Sequence, residues 1–313
     1  MREYAMAEKS WPENMTENMV GSPMLFDRLL WRRRRARAAA SSLPNFLLER
    51  VAGELANRLT VVLRQFDLAV DLGTPGDAVR SALGHLENVG TVIGTDVFPR
   101  ARPFVVADEE ALPFRDSAID LVVSALTLQF ANDLPGVLLQ IRRALKPDGL
   151  FVAALIGGDT LAELRQSFAA AESEIEGGIS PRVAPFIDLR EAGGLLQRAG
   201  LALPVADLER ITVRYASVFD LLSDLRRMGA TNFLVARRRT ALRRTTLMRM
   251  MENYAQRFAD SDGRLRATFD IVWLSGWAPH PMQQKPLKPG SAKARLADAL
   301  GAREIPAGEK AGR

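Results

Sequence analysis

The sequence predicts an α/β protein with a doubly wound sheet, two helices before the sheet and a helical insertion between its last two strands. Apolar runs of strand length alternate with stretches of helical periodicity between Phe66 and Ile156. The first of these runs ends in an acid and turns through small residues at 70–77. After Gly157 the alternation gives way to long helices before a final strand. Strands and helices that alternate in this way require a parallel sheet with helices on both faces.

The elements follow from periodicity along the chain. Two helices are predicted at 25–40 and 45–59, the first with Phe26, Leu29 and Leu30 on one side and arginines on the other. Strands are predicted at 66–72, 91–96, 104–106, 118–126 and 150–156, with helices at 78–86 and 134–145. A Pro/Gly turn at 146–149 separates the last of these helices from its strand. Beyond it we expect helices at 160–175 and 188–199, a strand at 208–215, helices within 218–260 and a last strand at 268–274.

These elements define a domain organisation. Residues 1–23 are polar and unpatterned and are expected to be a disordered tail, with the N-terminal helices at 24–62. The cofactor-binding domain is expected to comprise 63–215 and 264–278, with a helical lid at 216–263 and a C-terminal tail at 279–313. No signal peptide or apolar run of the ~20 residues needed to span a bilayer is visible.

Composition narrows the classes of function. Hydrophobic residues make up 47% and charged residues 25%, which is ordinary for a globular protein. The absence of cysteine excludes disulfides and thiolate chemistry, and with two histidines we predict no metal site. The net charge is +5, with arginine clusters at 32–37 and 237–249. Such clusters suit an acidic partner or are simply a solvated surface, and the acidic run at 172–176 is also expected to be solvated.

The ends of the first two strands indicate a nucleotide-like ligand. Asp71 ends the first strand, and Gly73 and Gly76 lie in the turn that opens the next helix. A turn of this kind brings backbone N–H groups close to a bound ligand. Asp96 ends the second strand, where an acid can accept both hydroxyls of a ribose. The pair therefore predicts an adenosine-containing cofactor.

The third and fourth strands add candidates for the same site. Asp108 and Glu109 follow the third strand, where an acid can accept the adenine amino group, and an apolar Leu-Pro-Phe segment comes shortly after them. Ser124 lies near the end of the fourth strand. A nicotinamide site would need a Gly-x-Gly-x-x-Gly turn, which the sequence lacks.

The order of these motifs resembles the class I S-adenosylmethionine-dependent methyltransferases, a Rossmann-like fold, over 66–156. Further segments resemble the complex I assembly factor 5 family: Gly157-Gly158-Asp159-Thr160-Leu161, Glu176-Gly177-Gly178-Ile179-Ser180-Pro181-Arg182, Asp224-Leu225-Arg226-Arg227-Met228-Gly229 and Trp277-Ala278-Pro279-His280. The resemblance runs from about Phe26 to near Leu300. It implies S-adenosylmethionine as cofactor and a role in assembling respiratory NADH:ubiquinone oxidoreductase. The mitochondrial form is credited with hydroxylating an arginine of a core subunit.

The turn after Asp71 departs from the usual pattern of that fold. Pro75 and Asp77 stand where the second and third glycines are expected. Proline removes one N–H donor, and Asp77 either pairs with the cofactor's ammonium group or repels its carboxylate. Asp159 and Glu163, just beyond the fifth strand, are the candidates for substrate contact. No histidine or cysteine is placed to act as a base, so the catalytic residues are left open.

Three functions remain open at this point. The first is a methyltransferase-like protein that modifies a complex I subunit or assists its assembly. The second is a malonyl-[acyl-carrier protein] O-methyltransferase of biotin synthesis, since a basic lid suits an acidic carrier protein and a carboxylate acceptor needs no base. The third is a non-catalytic assembly chaperone with a degenerate cofactor site. We expect a protein partner, no specific nucleic acid, and a bacterial cytoplasmic location, with peripheral contact at the inner membrane possible.

Overall fold

The computed structural model of this chain describes residues 24–39, 46–98, 103–283, 291 and 296–303. The predicted disordered tail at 1–23 and most of the predicted C-terminal tail lie outside the described residues. The chain divides into two units, 1–279 and 280–313. The second unit contains a short helix, Leu296–Leu300. All other elements belong to the first unit.

A single seven-stranded sheet forms the centre of the first unit. In chain order its strands are β1 (Phe66–Leu72), β2 (Val89–Asp96), β3 (Phe104–Val106), β4 (Ile119–Ala125), β5 (Leu145–Gly157), β6 (Ala202–Tyr215) and β7 (Leu265–Trp277). Their spatial order is β3-β2-β1-β4-β5-β7-β6. The direction in which successive strands are added changes between β1 and β4. In open α/β sheets, ligands bind at the carboxyl ends of the strands beside such a point. The predicted class I Rossmann-like fold is confirmed.

The direction of the last strand differs from the prediction of a parallel sheet. The pairs β1–β2, β1–β4, β2–β3 and β4–β5 are parallel, whereas β7 runs antiparallel to both β5 and β6. The alternation of apolar residues along a strand fixes which face is buried, not the direction in which the strand runs. Strand direction depends on the path of the chain before it, here the insertion that follows β6.

The predicted turn at 146–149 lies inside β5 rather than before it. The register with β4 passes from Ile119↔Leu145 to Leu121↔Leu150, so β5 has extra residues opposite β4 at this point. Asp148 has a φ of 63°, within the left-handed region. The Pro-Asp-Gly sequence therefore produces an irregularity in a strand that continues through it.

The helices cover both faces of the sheet. They are α1 (Arg28–Ala39), α2 (Phe46–Thr60), α3 (Ala78–Leu83), α4 (Leu134–Ala144), α5 (Ala162–Glu176), α6 (Leu189–Arg198), α7 (Val218–Arg227), α8 (Arg244–Phe258) and, in the second unit, α9 (Leu296–Leu300). On one face of the sheet, an apolar cluster contains residues of α2, α3, α5, α7 and α8 and every second residue of β4 and β5. On the other face, a second cluster contains residues of α4 and α6 and the intervening residues of β4 and β5. Among the described residues, no helix is long and apolar enough to cross a membrane.

Helix α1 buries a different face from the one predicted. Leu29 is 68% exposed, whereas Arg35 is only 6% exposed and Trp31 is buried. The prediction that the arginines of this helix face away from the core is therefore wrong. Long arginine stems can cover apolar surface while their guanidinium groups reach acids, and the acids in question lie far away in sequence.

The predicted insertion between β6 and β7 is present, but most of it does not form a separate lid. Helices α7 and α8 contribute to the same apolar cluster as α2 and α5. The longest stretch of the insertion without helix is the segment that joins them, 228–243. Within that segment Leu234 forms an antiparallel bridge with Phe26, just before α1. The insertion and the N-terminal segment therefore meet.

Candidate functional site

Three of the predicted acids converge where the parallel strands end. Asp71 lies beside Gly94 in the β1–β2 pair, and Asp96 lies beside Val106 in the β2–β3 pair. Asp108 follows β3 by two residues. Asp71 and Asp96 are 2% and 1% exposed. The carboxyl ends of β1, β2 and β3 therefore present a row of carboxylates along one edge, as predicted from the sequence.

The turn after β1 requires glycine at one position and leaves open space at another. Gly73 has a φ of 72°, and a Cβ there would lie 2.9 Å from Thr127 Cγ2. The Thr127 hydroxyl also donates to the Gly73 carbonyl at 2.8 Å. Gly76 has a φ of 74°, but a Cβ there would meet no atom within 4 Å. The turn is thus packed on β4 at Gly73 and open at Gly76, which fits close approach of a ligand.

The two unusual residues of this turn have separate surroundings. The Asp77 side chain is 60% exposed and forms an ion pair with Arg80, three residues further along the chain. Its negative charge therefore already has a counter-ion, whose own side chain is only 14% exposed. Pro75 lines a cavity next to the turn, described below.

The acids after β3 bind arginines of α1. Arg28 Nη2 lies 2.8 Å from Asp108 Oδ1, and Arg28 Nη1 lies 2.8 Å from Glu109 Oε1. Arg32 binds the other oxygen of Asp108. Burial alone would raise the pKa of Asp108, but Arg28, the Glu110 backbone N–H and Arg32 together hold this pKa below its ordinary value. Asp108 is therefore a stable carboxylate, as acceptance of an amino group requires.

Asp96 binds a third arginine of the same helix. Arg35 Nη2 lies 2.9 Å from Asp96 Oδ2, and it also donates to the Gly73 carbonyl. Both side chains are almost fully enclosed, at 7% and 0% exposed. Sequence analysis missed this residue. A signal was present, since arginines at 28, 32 and 35 lie on one face of a helix, at the spacing of successive turns.

Three other predicted site residues are placed differently from the acids. Ser124 is fully buried, and its hydroxyl donates to the Leu72 carbonyl at 2.7 Å, which links β4 to β1. The Asp159 side chain is 71% exposed and pairs with Arg210. Glu163 accepts from the backbone and hydroxyl of Thr268, at 3.2 and 2.5 Å. Neither Asp159 nor Glu163 is among the residues that line the neighbouring cavity.

The cavity lies beside the turn of β1 and has a volume of about 270 Å³. Pro75 from the turn, Leu126 after β4, Ile156 from β5 and Leu164 from α5 contribute to its wall. Phenylalanines are frequent in the lining: Phe26, Phe130, Phe168, Phe186, Phe233 and Phe269. A largely apolar cavity with a few polar groups is the usual form of a small-molecule or side-chain site.

A cluster of three rings forms one part of the cavity wall. The ring centroids of Phe26, Phe130 and Phe233 lie 5.0 to 5.9 Å apart. The Asp27 backbone N–H donates to the Phe233 carbonyl at 2.9 Å, which joins the N-terminal segment to the insertion. The predicted lid region also reaches the cavity through helix α7, since Leu222 and Leu225 line it together with Phe233.

The polar groups in the wall of the cavity are few. Among the lining residues the only charged side chains are Arg182 and Arg226, and there is no carboxylate. Gln129 is 8% exposed, and its Oε1 has no hydrogen-bond partner within the described part of the chain. Nor do the described residues contain a group of three or more His, Asp and Glu side chains arranged to hold a metal ion.

Arg182 belongs to a buried hydrogen-bond network with Glu172, a residue of the acidic run that was expected to be solvated. Glu172 is 0% exposed and accepts from the Ser180 backbone N–H at 2.7 Å, the Ser180 hydroxyl at 2.8 Å and Arg182 Nε at 2.8 Å. Burial by itself raises the pKa of Glu172, but these hydrogen bonds outweigh burial and lower it. The acidic run at 172–176 is therefore not simply a solvated face, since Glu172 fixes the loop that carries Arg182 to the cavity wall.

Comparison with known proteins defines the class. A family profile described as "Methyltransferase domain" matches residues 70–153. The YcgJ protein of Bacillus subtilis, a solved structure, superposes with a TM-score of 0.50 at 13% identity, covering 74% of this chain and 99% of that one. A methyltransferase candidate from Bacillus halodurans gives the same TM-score and identity over 73% of this chain and 99% of its own. The protein has the class I methyltransferase fold.

Relatives in sequence define the family. The zebrafish (Danio rerio) protein named "Arginine-hydroxylase NDUFAF5, mitochondrial" is 37% identical over 287 residues, covering 88% of this chain and 89% of that protein. The human protein of the same name is 38% identical over 86% of this chain and 81% of its own. The chain belongs to this NDUFAF5 family, the complex I assembly factor 5 family that the motifs predicted. A malonyl-[acyl-carrier protein] O-methyltransferase of Laribacter hongkongensis is 39% identical over only 62% of this chain and 63% of that protein.

The cofactor of this domain class is S-adenosylmethionine, as predicted. The structure fits it in three respects. Carboxylates end β1 and β2 and follow β3. The turn after β1 has a glycine with a positive φ and open space beside it at Gly76. The cavity adjoins that same turn through Pro75. Asp71, Asp96 and Asp108, with the backbone of Gly73 and Gly76, are the groups that could hold it.

Proposed function

We propose that this protein binds S-adenosylmethionine at the ends of β1, β2 and β3 and modifies an arginine side chain of a complex I subunit in the adjoining cavity. One observation carries the proposal. The turn that would hold the methionine end of the cofactor also forms part of the cavity wall, through Pro75. A reacting group in the cavity would therefore lie next to the cofactor. The choice of arginine follows the name that the relatives carry.

The residues of the chain have separable tasks in this scheme. When bound, the cofactor supplies an electrophilic methyl group. Asp96 and Asp108 orient its nucleoside, while the ring cluster of Phe26, Phe130 and Phe233 excludes water. In the cavity the planar guanidinium of a substrate arginine can stack on phenylalanine rings. The buried Gln129 Oε1 can accept one of its N–H groups.

The product on the acceptor decides the reaction class. Mass spectrometry of complex I subunits from a deletion strain, compared with the parent strain, measures it directly. We expect one arginine to be lighter in the deletion strain. The difference is the mass of a methylene if the cofactor's methyl group is transferred, and the mass of one oxygen if the reaction is a hydroxylation, which needs dioxygen and a reductant besides the cofactor. Wild-type protein should restore the modification, and Asp96→Asn should not. If every subunit has the same mass in both strains, the protein does not modify complex I.

A second candidate is supported by the charge of the cavity. Its lining contains Arg182 and Arg226 and no acid, which suits a carboxylate acceptor such as a malonyl group. Relatives with that activity match about three fifths of the chain. Rescue of a biotin-auxotrophic strain that lacks its malonyl-carrier methyltransferase would support this candidate. Failure to rescue, with the protein well expressed, would remove it.

A non-catalytic chaperone is the third candidate. Pro75 removes one N–H donor from the turn, and Arg35 already binds the ribose acid Asp96. Retention of complex I assembly by an Asp96→Asn strain would favour this function over an enzyme. A location in the bacterial cytoplasm, with peripheral contact at the inner membrane, stays a prediction.

A further inference from the structure

We propose that Arg35 is a gate on the cofactor site, so that S-adenosylmethionine binds only when the Arg35 guanidinium has left Asp96. The proposal rests on the cofactor site described under the proposed function. It adds a residue, Arg35, that the sequence motifs of the fold do not contain.

The position of Arg35 overlaps that expected for the ligand. One nitrogen, Arg35 Nη2, contacts both Asp96 Oδ2 and the carbonyl of Gly73. Asp96 is the acid predicted to accept ribose hydroxyls, and Gly73 opens the turn predicted to hold the methionine end. Arg35 Nη2 therefore occupies the space between Asp96 Oδ2 and the Gly73 carbonyl, and a ribose that enters this space has to displace it.

The rest of α1 supports the same arrangement at the adenine end. Arg28 binds Asp108 Oδ1, and Arg32 binds Asp108 Oδ2. The helix thus presents one stripe of arginines to the acids that follow β2 and β3. The two contacts differ in exposure, however. Asp108 and Arg32 side chains are 24% and 37% exposed, so water competes with their pairing. The Arg28 side chain is 12% exposed, and the Arg35–Asp96 pair, at 7% and 0%, is the most enclosed of the ion pairs between α1 and these acids.

The energetics favour a gate over a purely stabilising contact. A buried ion pair is poor evidence for stability, because desolvation of both charges offsets much of their attraction. Arg35 is the counter-ion of the buried Asp96 in this arrangement. The apparent affinity for the cofactor is then reduced by the small fraction of molecules in which Arg35 is displaced. The ring centroid of Trp31 lies 5.0 Å from Arg35 Cζ while Arg35 is paired with Asp96, so Trp31 contributes to the closed arrangement.

The test is calorimetric titration with 5′-methylthioadenosine, which has the adenine and ribose of the cofactor but no carboxylate that could bind Arg35 itself. We expect Arg35→Ala to bind this probe about tenfold tighter than the wild type or better. Arg37→Ala is the matched control, since Arg37 is an exposed arginine of the same helix, and it should bind like the wild type. Unchanged or weaker binding by Arg35→Ala would overturn the gate.

A second variant, Arg35→Gln, tests the gate in case Arg35→Ala does not fold. Arg35→Gln keeps a hydrogen-bond donor near Asp96 but removes the charge, and circular dichroism checks that it is folded. It should also bind the probe more tightly than the wild type, and equal or weaker binding would count against the gate. The same proteins are then titrated with S-adenosylmethionine. If no variant binds either compound, the proposed cofactor site fails as a whole; if all bind with wild-type affinity, only the gate fails.

Discussion

Asn132 holds the backbone of Phe26 from both sides. The Phe26 N–H donates to Asn132 Oδ1 at 2.8 Å, and Asn132 Nδ2 donates to the Phe26 carbonyl at 3.2 Å. Asn132 follows the short 3-10 helix Leu128–Phe130 after β4, whereas Phe26 precedes α1. Asn132 therefore joins the segment after β4 to the N-terminal segment, which the insertion also holds through the Phe26↔Leu234 bridge.

Asn132→Ala should loosen this connection. The substitution leaves a backbone N–H and a carbonyl of Phe26 without their partner, so we expect the free energy of unfolding to fall by about 2 kcal/mol. Denaturant titration measures the change. Asn57→Ala is the control, because Asn57 is exposed on α2. Equal stability of the two variants would show that Asn132 does not hold the N-terminal segment.

Gly73→Ala should reduce both stability and cofactor binding. The new Cβ would lie 2.9 Å from Thr127 Cγ2, and alanine is strained at a φ of 72°. We expect a loss of about 1 to 3 kcal/mol in the free energy of unfolding. Gly53→Ala is the opposite case, since Gly53 is inside α2 with no atom near the new Cβ, and it should stabilise by about 0.5 to 1 kcal/mol. Thermal unfolding that shifts in the same direction for both would contradict the account.

Glu172→Gln should destabilise the protein at neutral pH by about 3 kcal/mol, because it leaves the mostly buried Arg182 without its carboxylate. The folded-state pKa of Glu172 is below its ordinary value of 4.5. Its contribution is therefore fully present above that value and is lost as the pH falls through the folded-state pKa. The stability difference between wild type and variant should accordingly narrow in acid.

The control for this prediction is Glu174→Gln. Glu174 pairs with Arg249 on the surface, with a side chain that is 54% exposed. A pair of this kind contributes about 0 to 1 kcal/mol, so the variant should follow the wild type closely at all pH values. Denaturant titrations at several pH values measure both variants. A Glu172→Gln deficit that does not change with pH would mean that the carboxylate charge is not its source.

Leu222→Trp should fill the cavity without reaching the cofactor acids. Leu222, on α7, is partly buried and lines the cavity. We expect modification of the acceptor to fall at least about tenfold while the affinity for S-adenosylmethionine stays unchanged. Leu139→Trp, at an exposed position of α4, is the control and should change neither quantity. Full modification by a folded Leu222→Trp variant would place the acceptor elsewhere.

The order of strands and helices was predictable because its signals are local. Apolar periodicity located every strand of the sheet, and the residues after each strand located the row Asp71, Asp96 and Asp108. The small residues of the turn at 70–77 located the helix that follows. These patterns depend on neighbours within a few residues, which is what a single sequence contains.

The features that the sequence did not predict depend on contacts between distant parts of the chain. Arg35 and Asp96 are 61 positions apart, and Arg28 and Asp108 are 80 apart. The arginines at 28, 32 and 35 share one face of α1, but the acids that face them end or follow distant strands, so the buried side of the helix was predicted incorrectly. The ring cluster has the same origin, since Phe26 meets Phe233 only after the whole sheet is assembled. Asp159 and Glu163 were chosen by their position after β5, but the fold directs both to arginine and threonine partners.

The central claim is that the carboxylates at the ends of β1 and β2 bind S-adenosylmethionine. Calorimetric titration of wild type, Asp96→Asn and Asp67→Asn tests it most directly. Asp67 is an exposed residue of β1, so its variant carries the same chemical change away from the site. We predict binding by wild type and Asp67→Asn, and a loss of at least about tenfold in affinity for Asp96→Asn. Equal affinity in all three proteins would contradict the account, and so would the absence of binding by the wild type.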